Sequence, residues 1–291
     1  MLTSLYRITV CVPCFNSANT IEAAIQSLLS QTIQDYKFII VDNCSSDETV
    51  QRIRSLVSDD ERFTLIVNSS NNGAADSFYR LARMVQSEFM CYLSSDDYFA
   101  PEYLEAALAL LASRGDAICA TGKTLRFRGG NLNFMSDGTF TIDDKEAKVR
   151  MKKYLASLTD NSRFHGVYRT NAIHRVDLLM KLFAGDLAFT MLTLREGSHV
   201  EIDSRSPMVF RELPSSMVKY FPGKLLSVKS LLLLIFPARN LVSVCWRRLS
   251  KMDFIYLSGS IFKMNMRLSH SMLMSYAVSF RDYLRNLPIK C

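Results

Sequence analysis

Two adjacent acids follow an apolar segment in the first third of the chain, in the sequence Ser95-Asp96-Asp97-Tyr98. The preceding run, residues 89–93, predicts a buried strand that ends just before the acids. Carboxylates at the end of a buried strand are costly to desolvate unless positive charge lies next to them. A divalent metal that carries a diphosphate supplies such charge, because hard oxygen ligands suit Mg²⁺ and Mn²⁺. The alternative is a solvated turn that caps a helix beginning near Pro101.

Strand and helix patterns alternate along the residues before the acids. Short apolar, β-branched runs predict strands at 8–12, 38–41 and 63–67, with amphipathic helices between them. This alternation is typical of an α/β fold with a mainly parallel sheet that helices cover on both faces. Ligands bind beyond the carboxyl ends of the strands in such sheets. We expect one crevice there, because polar residues follow three predicted strands, at Pro13-Cys14-Phe15-Asn16, Asp42-Asn43 and Ser95-Asp96.

Five ordered blocks of this sequence resemble the opening of the family 2 glycosyltransferases. They are Val12 to Asn16, Ser27 to Thr32, Ile40 to Asp47, Asn71-Asn72-Gly73 and Leu93 to Asp97. The resemblance covers residues 7–112 well and 160–200 loosely. It implies the GT-A fold, which is Rossmann-like, together with nucleotide-diphosphate sugar donors and a divalent metal, Mn²⁺ or Mg²⁺. It also implies inversion of the anomeric centre.

The resemblance further implies a set of residues around the donor. Asp42 would accept hydrogen bonds from the uracil or the ribose, although an acid there could instead cap the next turn. The other donor-site residues are Pro13 and Phe15, which would form the wall for the base, and Asn16, Asn72, Gly73, Ser95 and Asp96. The structural alternatives are a strand stop, a core aromatic and an ordinary Asn-Asn-Gly turn.

The metal-binding element is the part of the resemblance in which this chain departs from the family. Asp96 matches the last acid of the family's D-x-D element, and Asp96 and Asp97 are the predicted metal ligands. The bound metal would neutralise the diphosphate leaving group as the sugar–oxygen bond breaks. Ser94 stands where the element has its first acid. We therefore expect Ser95 or Asp97 to complete the shell through water.

Inversion in a single displacement requires a carboxylate that accepts the proton of the acceptor hydroxyl. The resemblance implies that this acid follows a short strand like the one at 164–169, which makes Asp186 the predicted base. An N-cap for the following helix is the alternative role of Asp186. His165 and Arg169 would contact the diphosphate, or else be a structural histidine and a surface charge. The weaker rivals for the base are Asp137, Asp143, Asp144 and Asp177.

Charge and hydropathy divide the chain unevenly. The 291 residues carry a net charge of +7, but residues 219–291 hold 12 Lys and Arg and two acids. That segment is also apolar, although its run at 230–238 is nine residues long, against the roughly 20 of a membrane span. Basic and apolar residues at helical spacing predict helices that lie on an anionic bilayer. The alternative is a solvated helical subdomain packed on the core. No motif supports nucleic-acid binding.

These patterns predict three regions. The nucleotide-sugar-binding half of a GT-A domain occupies 1–125, its acceptor-binding half 126–218, and a membrane-associating helical region 219–291. No signal-peptide pattern is found at the N-terminus, which predicts a cytoplasmic protein with reduced thiols, peripheral on the inner face of the cytoplasmic membrane.

The predicted function is the transfer of a sugar from a nucleotide-diphosphate donor, with UDP favoured, to a saccharide hydroxyl of a lipid-linked acceptor. The resemblance implies bacterial polysaccharide biosynthesis as the setting. A sugar nucleotidyltransferase is one alternative, but it would need a Gly-rich, basic loop after the first strand, which residues 13–17 lack. The other alternative is a degenerate, non-catalytic member that binds a nucleotide or serves as a scaffold, a reading that Ser94 keeps open.

Overall fold

A computed structural model gives the architecture of the chain and describes residues 6–57, 60–128, 131–136, 138–157, 160–176, 185–212 and 239–285. The chain divides into two compact units, residues 1–212 and 213–291. The two predicted halves of the GT-A domain therefore fall in one unit as far as residue 212. The predicted boundary between residues 218 and 219 lies outside the described residues.

Seven strands form the central sheet of the first unit. They are β1 Ile8–Cys14, β2 Tyr36–Asp42, β3 Phe63–Val67, β4 Phe89–Tyr92, β6 Ala117–Thr121, β9 Val167–Arg169 and β10 Ser198–Glu201. Their spatial order is β10-β6-β9-β4-β1-β2-β3, and only β9 runs antiparallel to its neighbours among these described strands. The predicted α/β class with a mainly parallel sheet is confirmed, because the β-branched and aromatic runs form strands where expected.

Helices pack on both faces of this sheet. They are α1 Ile21–Leu29, α2 Thr49–Val57, α3 Ala74–Met84, α4 Tyr103–Ser113, α5 Ala147–Ala156, a 3-10 turn at Ser162–His165, α6 Thr170–Arg175 and α7 Gly185–Glu196. Successive strand residues point to opposite faces, so β4 contributes to two cores. Cys91 joins the apolar core with α1, α2 and α4, whereas Tyr92 packs on Phe78 of α3 and Phe164 of the 3-10 turn.

A second, four-stranded sheet begins at the pair of acids. Its strands are β5 Asp97–Phe99, β7 Thr124–Arg128, β8 Asn131–Met135 and β11 Val209–Glu212, in the order β5-β11-β7-β8. β11 pairs antiparallel with β5 and parallel with β7, which places Arg211 opposite both Asp97 and Arg126. Asp97 is therefore the first residue of a strand, while Asp96 stays in the turn before it.

The described part of the second unit is helical. It consists of α8 Arg239–Arg248 and α9 Lys251–Arg285. A capping box begins α9, since Asp253 donates its N–H to Ser250 Oγ at 3.0 Å and the Ser250 hydroxyl donates to Asp253 Oδ2 at 2.8 Å. None of the helices in the described ranges has the length and hydropathy of a membrane span. The predicted helical C-terminal region is confirmed over residues 239–285.

Candidate active site

Hydrogen bonds join the loops that follow β1, β2 and β4. Ser17 donates its backbone N–H to Thr49 Oγ1 at 2.7 Å, and its hydroxyl lies 2.7 Å from that of Ser95. Asp47 accepts hydrogen bonds from the N–H groups of Ala18 and Thr49 at 3.1 Å and 3.0 Å. These contacts hold the ends of three strands together at one edge of the sheet, where a parallel sheet binds its ligands.

Asn16 connects the end of β1 to the loop after β2. Its φ of 49° lies in the left-handed region, which Asn adopts more readily than most residues. Its N–H donates to Ser45 Oγ at 2.8 Å, and its Oδ1 accepts the N–H of Ser46 at 2.9 Å. The neighbouring Phe15 ring is 46% exposed, and Pro13 is half-buried. An exposed aromatic ring at a strand end offers a surface on which a base can stack.

Asp42 ends β2 and is fully buried. Its Oδ2 accepts the N–H of Ser45 at 2.9 Å, and its Oδ1 accepts the Ser45 hydroxyl at 2.5 Å and the Cys14 thiol at 3.6 Å. The carboxylate thus holds the turn that follows the strand, which is the alternative role considered above. A nucleotide would reach this group only if the Ser45 side chain moved aside.

Asn43 is a buried residue at the same edge that was not among the predicted site residues. Its Oδ1 accepts hydrogen bonds from Asn68 Nδ2 and the N–H of Asn72, both at 3.1 Å, and its Nδ2 donates to Asn71 Oδ1 at 2.7 Å. Gly73 follows with a φ of 84°, a value that favours glycine. Asn43 therefore ties the loop after β3 to the crevice. The recurrence of asparagine at 68, 71 and 72 was the sequence signal for this network.

The two acids have different environments. Asp96 is exposed in the turn, whereas Asp97 is 1% exposed. Arg211 donates from Nε to Asp97 Oδ2 at 3.0 Å, so the strand pairing of β5 with β11 brings a cation to the buried carboxylate. A hydrogen-bonded ion pair is the condition under which a buried acid stays charged. Arg211 is consequently a partner within the protein for Asp97, whether or not a ligand is bound.

His165 faces the same carboxylate. Its Nε2 lies 3.9 Å from Asp97 Oδ2, and its Nδ1 lies 3.1 Å from the carbonyl oxygen of Tyr92. Because a carbonyl only accepts, Nδ1 carries the proton and Nε2 presents a lone pair. Burial, and then the charge of Arg211, hold the pKa of His165 well below its usual range, so the imidazole is neutral. A neutral imidazole beside a carboxylate is suited to binding a cation.

These residues fit a divalent metal that takes most of its ligands from elsewhere. No group of three or more His, Cys, Asp and Glu side chains forms a metal site in the described part of the chain. Mg²⁺ is commonly held by one or two carboxylates together with substrate phosphates and water. Asp97 Oδ2 and His165 Nε2 face each other, and Asp96 is exposed next to them. This donor set is sufficient for such a metal only if a diphosphate completes it.

Electrostatic interactions of charged and polar side chains extend between this pair of acids and Asp186. Arg126 interacts electrostatically with both Asp97 and Asp160, and Tyr154 interacts with both Asp160 and Asp186. Burial alone would raise the pKa of Asp160, but hydrogen bonds from Ser136 and Ser162 and the charge of Arg126 lower it overall. Direct contacts at the 3-10 turn also join the two places, since His165 lies 3.9 Å from Asp97 and Asn161 donates a hydrogen bond to Asp186.

Asp186 is the second residue of α7, where the helix N-terminus stabilises negative charge. It lies inside the helix and not at the capping position. Its side chain is half-buried, and its Oδ2 accepts a hydrogen bond from Asn161 Nδ2 at 3.0 Å. Asn161 Oδ1 accepts hydrogen bonds from the hydroxyls of Tyr154 and Thr190 at 2.9 Å and 3.0 Å. The carboxylate is therefore oriented by a side chain that is itself fixed.

Arg169 lies at the opposite edge of the sheet, so its predicted contact with the diphosphate is wrong. It pairs with Phe89 at the start of β4, because β9 runs antiparallel to β4. The guanidinium donates to the carbonyl oxygens of Ala117 and Leu111 at 2.9 Å and 2.6 Å. At about 3.3 Å per residue, Arg169 is roughly 13 Å from Leu93, where β4 reaches the crevice. Arg169 instead caps the C-terminal end of α4.

Two of the weaker rivals for the base form surface ion pairs. Asp143 contacts Arg114 at 3.2 Å, and Asp144 contacts Lys153 at 2.8 Å. Asp143 is 48% exposed and Asp144 is 26% exposed, and a charged partner compensates each of them, which gives neither the uncompensated desolvation that tunes a catalytic carboxylate. Asp137 and Asp177 lie outside the described residues.

Comparison with known proteins agrees with this arrangement. A search with family models matches glycosyl transferase family 2 over residues 9–183, which is more than half of the chain. The UDP-Glc:alpha-D-GlcNAc-diphosphoundecaprenol beta-1,3-glucosyltransferase WfgD of Escherichia coli is 30% identical over 106 residues, 36% of this chain and 41% of the relative. The GalNAc(5)-diNAcBac-PP-undecaprenol beta-1,3-glucosyltransferase of Campylobacter jejuni is 27% identical over 181 residues, 57% of each chain. This chain thus spans less than two thirds of either relative.

The fold has counterparts among solved structures. Staphylococcus aureus TarS, residues 1–349 in complex with UDP-GlcNAc, superposes with a TM-score of 0.66 over 85% of this chain and 69% of that chain, at 16% identity. This likeness shows the GT-A type of fold. The match over residues 9–183 shows that the chain belongs to glycosyl transferase family 2.

Proposed function

We propose that this protein transfers a sugar from a nucleotide-diphosphate donor, with UDP favoured, to a saccharide hydroxyl, with inversion by single displacement. One observation carries the proposal: a single short segment contacts both Asp97 and Asp186, because His165 lies 3.9 Å from Asp97 and Asn161, four residues earlier, donates a hydrogen bond to Asp186. Such an arrangement supplies a leaving-group site and a base to the same reaction. UDP is favoured because the WfgD relative is named as a UDP-Glc-dependent glucosyltransferase and the TarS structure contains UDP-GlcNAc.

The donor would lie against the loops after β1, β2, β3 and β4. The base would stack on Phe15 beside Pro13, with Asp42 and the loop at Asn72 and Gly73 recognising its polar edge and the ribose. Asn16 and Ser95 would hold the loops in register around the diphosphate. Support comes from the exposed ring of Phe15 and from the hydrogen bonds that join these loops.

Asp96 and Asp97 would hold a Mn²⁺ or Mg²⁺ ion, and His165 would direct its Nε2 to the same ion or to the diphosphate. The metal, when bound, supplies Lewis-acid stabilisation of the departing nucleotide diphosphate. Arg211 would keep the Asp97 carboxylate ionised and oriented before the donor arrives. Ser94 removes one acid from the element, so the protein would bind metal more tightly with the nucleotide than without it.

Asp186 would act as the base that deprotonates the acceptor hydroxyl. It fits the role because it is half-buried, oriented by Asn161 and placed at the start of α7. As the acceptor oxygen attacks the anomeric carbon, its proton passes to Asp186 and the sugar–diphosphate bond breaks on the opposite side. General-base assistance of this kind contributes about 10²- to 10⁴-fold to the rate.

The acceptor would be a lipid-linked saccharide at the inner face of the cytoplasmic membrane, in bacterial polysaccharide biosynthesis. Both named relatives are described as acting on undecaprenol-diphosphate saccharides. In α9, Met252, Ile255, Phe262 and Met266 are exposed and recur at spacings of three, seven and four residues, which places them on one helix face. The exposed Lys263 lies between them, as expected for a helix on an anionic surface.

Calorimetric titration of UDP, GDP and dTDP, each with and without Mn²⁺, tests the donor site. We expect one nucleotide to bind in a Mn²⁺-dependent manner, and Asp96→Ala and Asp97→Asn to abolish that dependence. Asp35→Asn is the matched control, because Asp35 is exposed before β2, at the opposite edge of the sheet. Binding of no nucleotide to the wild type would favour the degenerate scaffold. Metal-independent binding in all variants would remove the metal from the proposal.

Flotation with vesicles tests the membrane contact. The protein should float with vesicles that contain anionic phosphatidylglycerol and not with neutral phosphatidylcholine vesicles. Ile255→Glu and Phe262→Glu should each weaken flotation, because both place a carboxylate on the exposed apolar face of α9. Phe134→Glu is the control, since Phe134 is a comparably exposed aromatic residue in the first unit. Equal flotation of all three variants would contradict a membrane role for α9.

A further inference from the structure

We propose that Asn161 is a positioning residue that orients the Asp186 carboxylate for proton transfer. The inference rests on the proposed function, in which Asp186 is the base. It starts from the direct contact of 3.0 Å between Asn161 Nδ2 and Asp186 Oδ2.

The amide of Asn161 has one orientation compatible with its surroundings. An amide oxygen turned toward Asp186 would place two acceptors against each other, so Nδ2 must face the carboxylate. Oδ1 then accepts from the hydroxyls of Tyr154 and Thr190. Burial, and then the charge of Asp186, hold the pKa of Tyr154 well above its usual range, so this hydroxyl keeps the proton that it donates. The partners of Nδ2 and of Oδ1 together determine the orientation of the amide.

Three separate segments hold this arrangement. Tyr154 belongs to α5, Asn161 precedes the 3-10 turn, and Thr190 lies four residues after Asp186, on the same face of α7. Asn161 is 9% exposed, and its carbonyl oxygen accepts the N–H of Phe164 at 3.1 Å, which anchors its backbone. Asn161 therefore bridges two successive turns of α7 and fixes Oδ2 of the carboxylate, while Oδ1 is the oxygen left for the acceptor's proton.

The first test replaces the donor by an acceptor of the same shape. Asn161→Asp places a second carboxylate against Asp186, and two such groups share one proton and titrate as a pair with a raised pKa. Hydrolysis of UDP-glucose and UDP-GlcNAc with Mn²⁺, followed as UDP release, gives the profile of kcat between pH 5 and 9. We expect the acidic limb to move up by about one pH unit or more, since like charges this close shift a pKa by at least that.

The same variant should lower kcat at pH 7 by about 10- to 100-fold, the size of effect that a small misplacement of a reacting group causes. KM for the donor should stay unchanged, because the contact lies on the base and not in the nucleotide loops. The other titratable groups near the pair are Tyr154, Asp160 and Arg163, and all three remain in place in this variant.

Thr190→Val supplies an independent test with a matched control. Valine has the shape of threonine but cannot donate to Asn161, so the amide oxygen loses one of its two hydrogen bonds. Thr193→Val is the control, because Thr193 is equally buried in α7 and its hydroxyl bonds the carbonyl oxygen of Thr190 at 2.8 Å instead. We expect kcat to fall about 3- to 10-fold in Thr190→Val, the effect of one net hydrogen bond, and to stay at the wild-type value in Thr193→Val.

The outcomes separate this inference from the proposed function. If Asp186→Asn keeps full hydrolysis, Asp186 is not the base and the proposed function fails at that step. If Asp186→Asn is inactive but Asn161→Asp keeps the wild-type pH profile and kcat, the positioning role alone is overturned. If Asn161→Asp does not fold, as judged by its melting curve, the threonine pair decides. Equal kcat values in Thr190→Val and Thr193→Val overturn the proposal.

Discussion

The loops after β1, β2 and β3 and the surroundings of Asp97 are built in different ways. The loops after β1, β2 and β3 are joined largely by hydrogen bonds among short polar side chains such as Asn16, Asn43 and Ser45. Around Asp97, by contrast, charged groups meet: Arg211 and Arg126 of the second sheet and Asp160 of the loop before the 3-10 turn, with neutral His165 beside them. The arrangement of the loops depends on backbone shape, whereas the surroundings of Asp97 depend on compensated charge. Substitutions around Asp97 should therefore lower the free energy of unfolding more than substitutions in the loops.

The largest effect is expected at the base. Asp186→Asn should lower donor hydrolysis or transfer by about 10²- to 10⁴-fold, because the amide cannot accept the proton. Nucleotide binding should be unchanged, since Asp186 lies outside the donor loops. Steady-state kinetics and calorimetry on the same preparation measure both quantities. A loss smaller than about tenfold would exclude Asp186 as the base.

Removal of the cation beside Asp97 should be the next largest effect. Arg211→Met leaves a nearly fully buried carboxylate without its hydrogen-bonded partner, which should lower the free energy of unfolding by about 3 kcal/mol. Arg205→Met is the control, because Arg205 is exposed in the loop before β11. Urea denaturation of both variants measures the difference. Equal stabilities would show that other groups compensate Asp97.

Substitutions in the loops after β1, β2 and β3 should change the affinity for the nucleotide and leave the stability unchanged. Phe15→Ala removes the exposed ring on which the base would stack, so UDP should bind roughly tenfold more weakly. Phe134→Ala is a matched control, because both phenylalanines are 46% exposed. Calorimetry gives the affinities, and melting curves should be nearly the same for both variants. Unchanged UDP affinity in Phe15→Ala would place the base elsewhere.

The smallest expected effect is the pH dependence that Asp160 contributes. Its pKa in the folded chain lies below the ordinary value of 3.8, so its contribution to stability is present above that pH and is lost as the pH falls through the folded pKa. Asp160→Asn should abolish this component. As the pH falls below 3.8, the variant should lose less stability than the wild type, because its amide does not titrate. Parallel loss in both proteins would contradict the role of Asp160.

Local sequence patterns predicted the parts of the site that consist of a strand and the residues directly after it. The apolar runs predicted β1, β2, β3 and β4, and the polar residues after them lie at strand ends because parallel strands share a direction. The motif resemblance led to Asp186, which lies in the first turn of α7. Asn43 was predicted at this edge but was not among the predicted site residues, because asparagines in loops are usually turn residues.

Other features depend on contacts that no local pattern encodes. Arg211 and Asp97 are 114 positions apart and meet only because β11 pairs with β5. Arg169 was assigned to the wrong edge because the short strand β9 is antiparallel, and a three-residue strand carries no sign of its direction. The hydrogen bond from Asn161 to Asp186 likewise joins two segments that only the packing of α7 on α5 and the 3-10 turn brings together.

The sequence by itself determined the α/β class, the order of the first strands and helices, and the chemistry of the polar residues at the strand ends. These follow from side-chain periodicity and turn preference, which act over a few residues. The tertiary structure decided which charges are compensated, which edge of the sheet each residue occupies and what holds the proposed base. Those properties arise from strand pairing and helix packing between distant segments, and their energies depend on burial that only the folded chain creates.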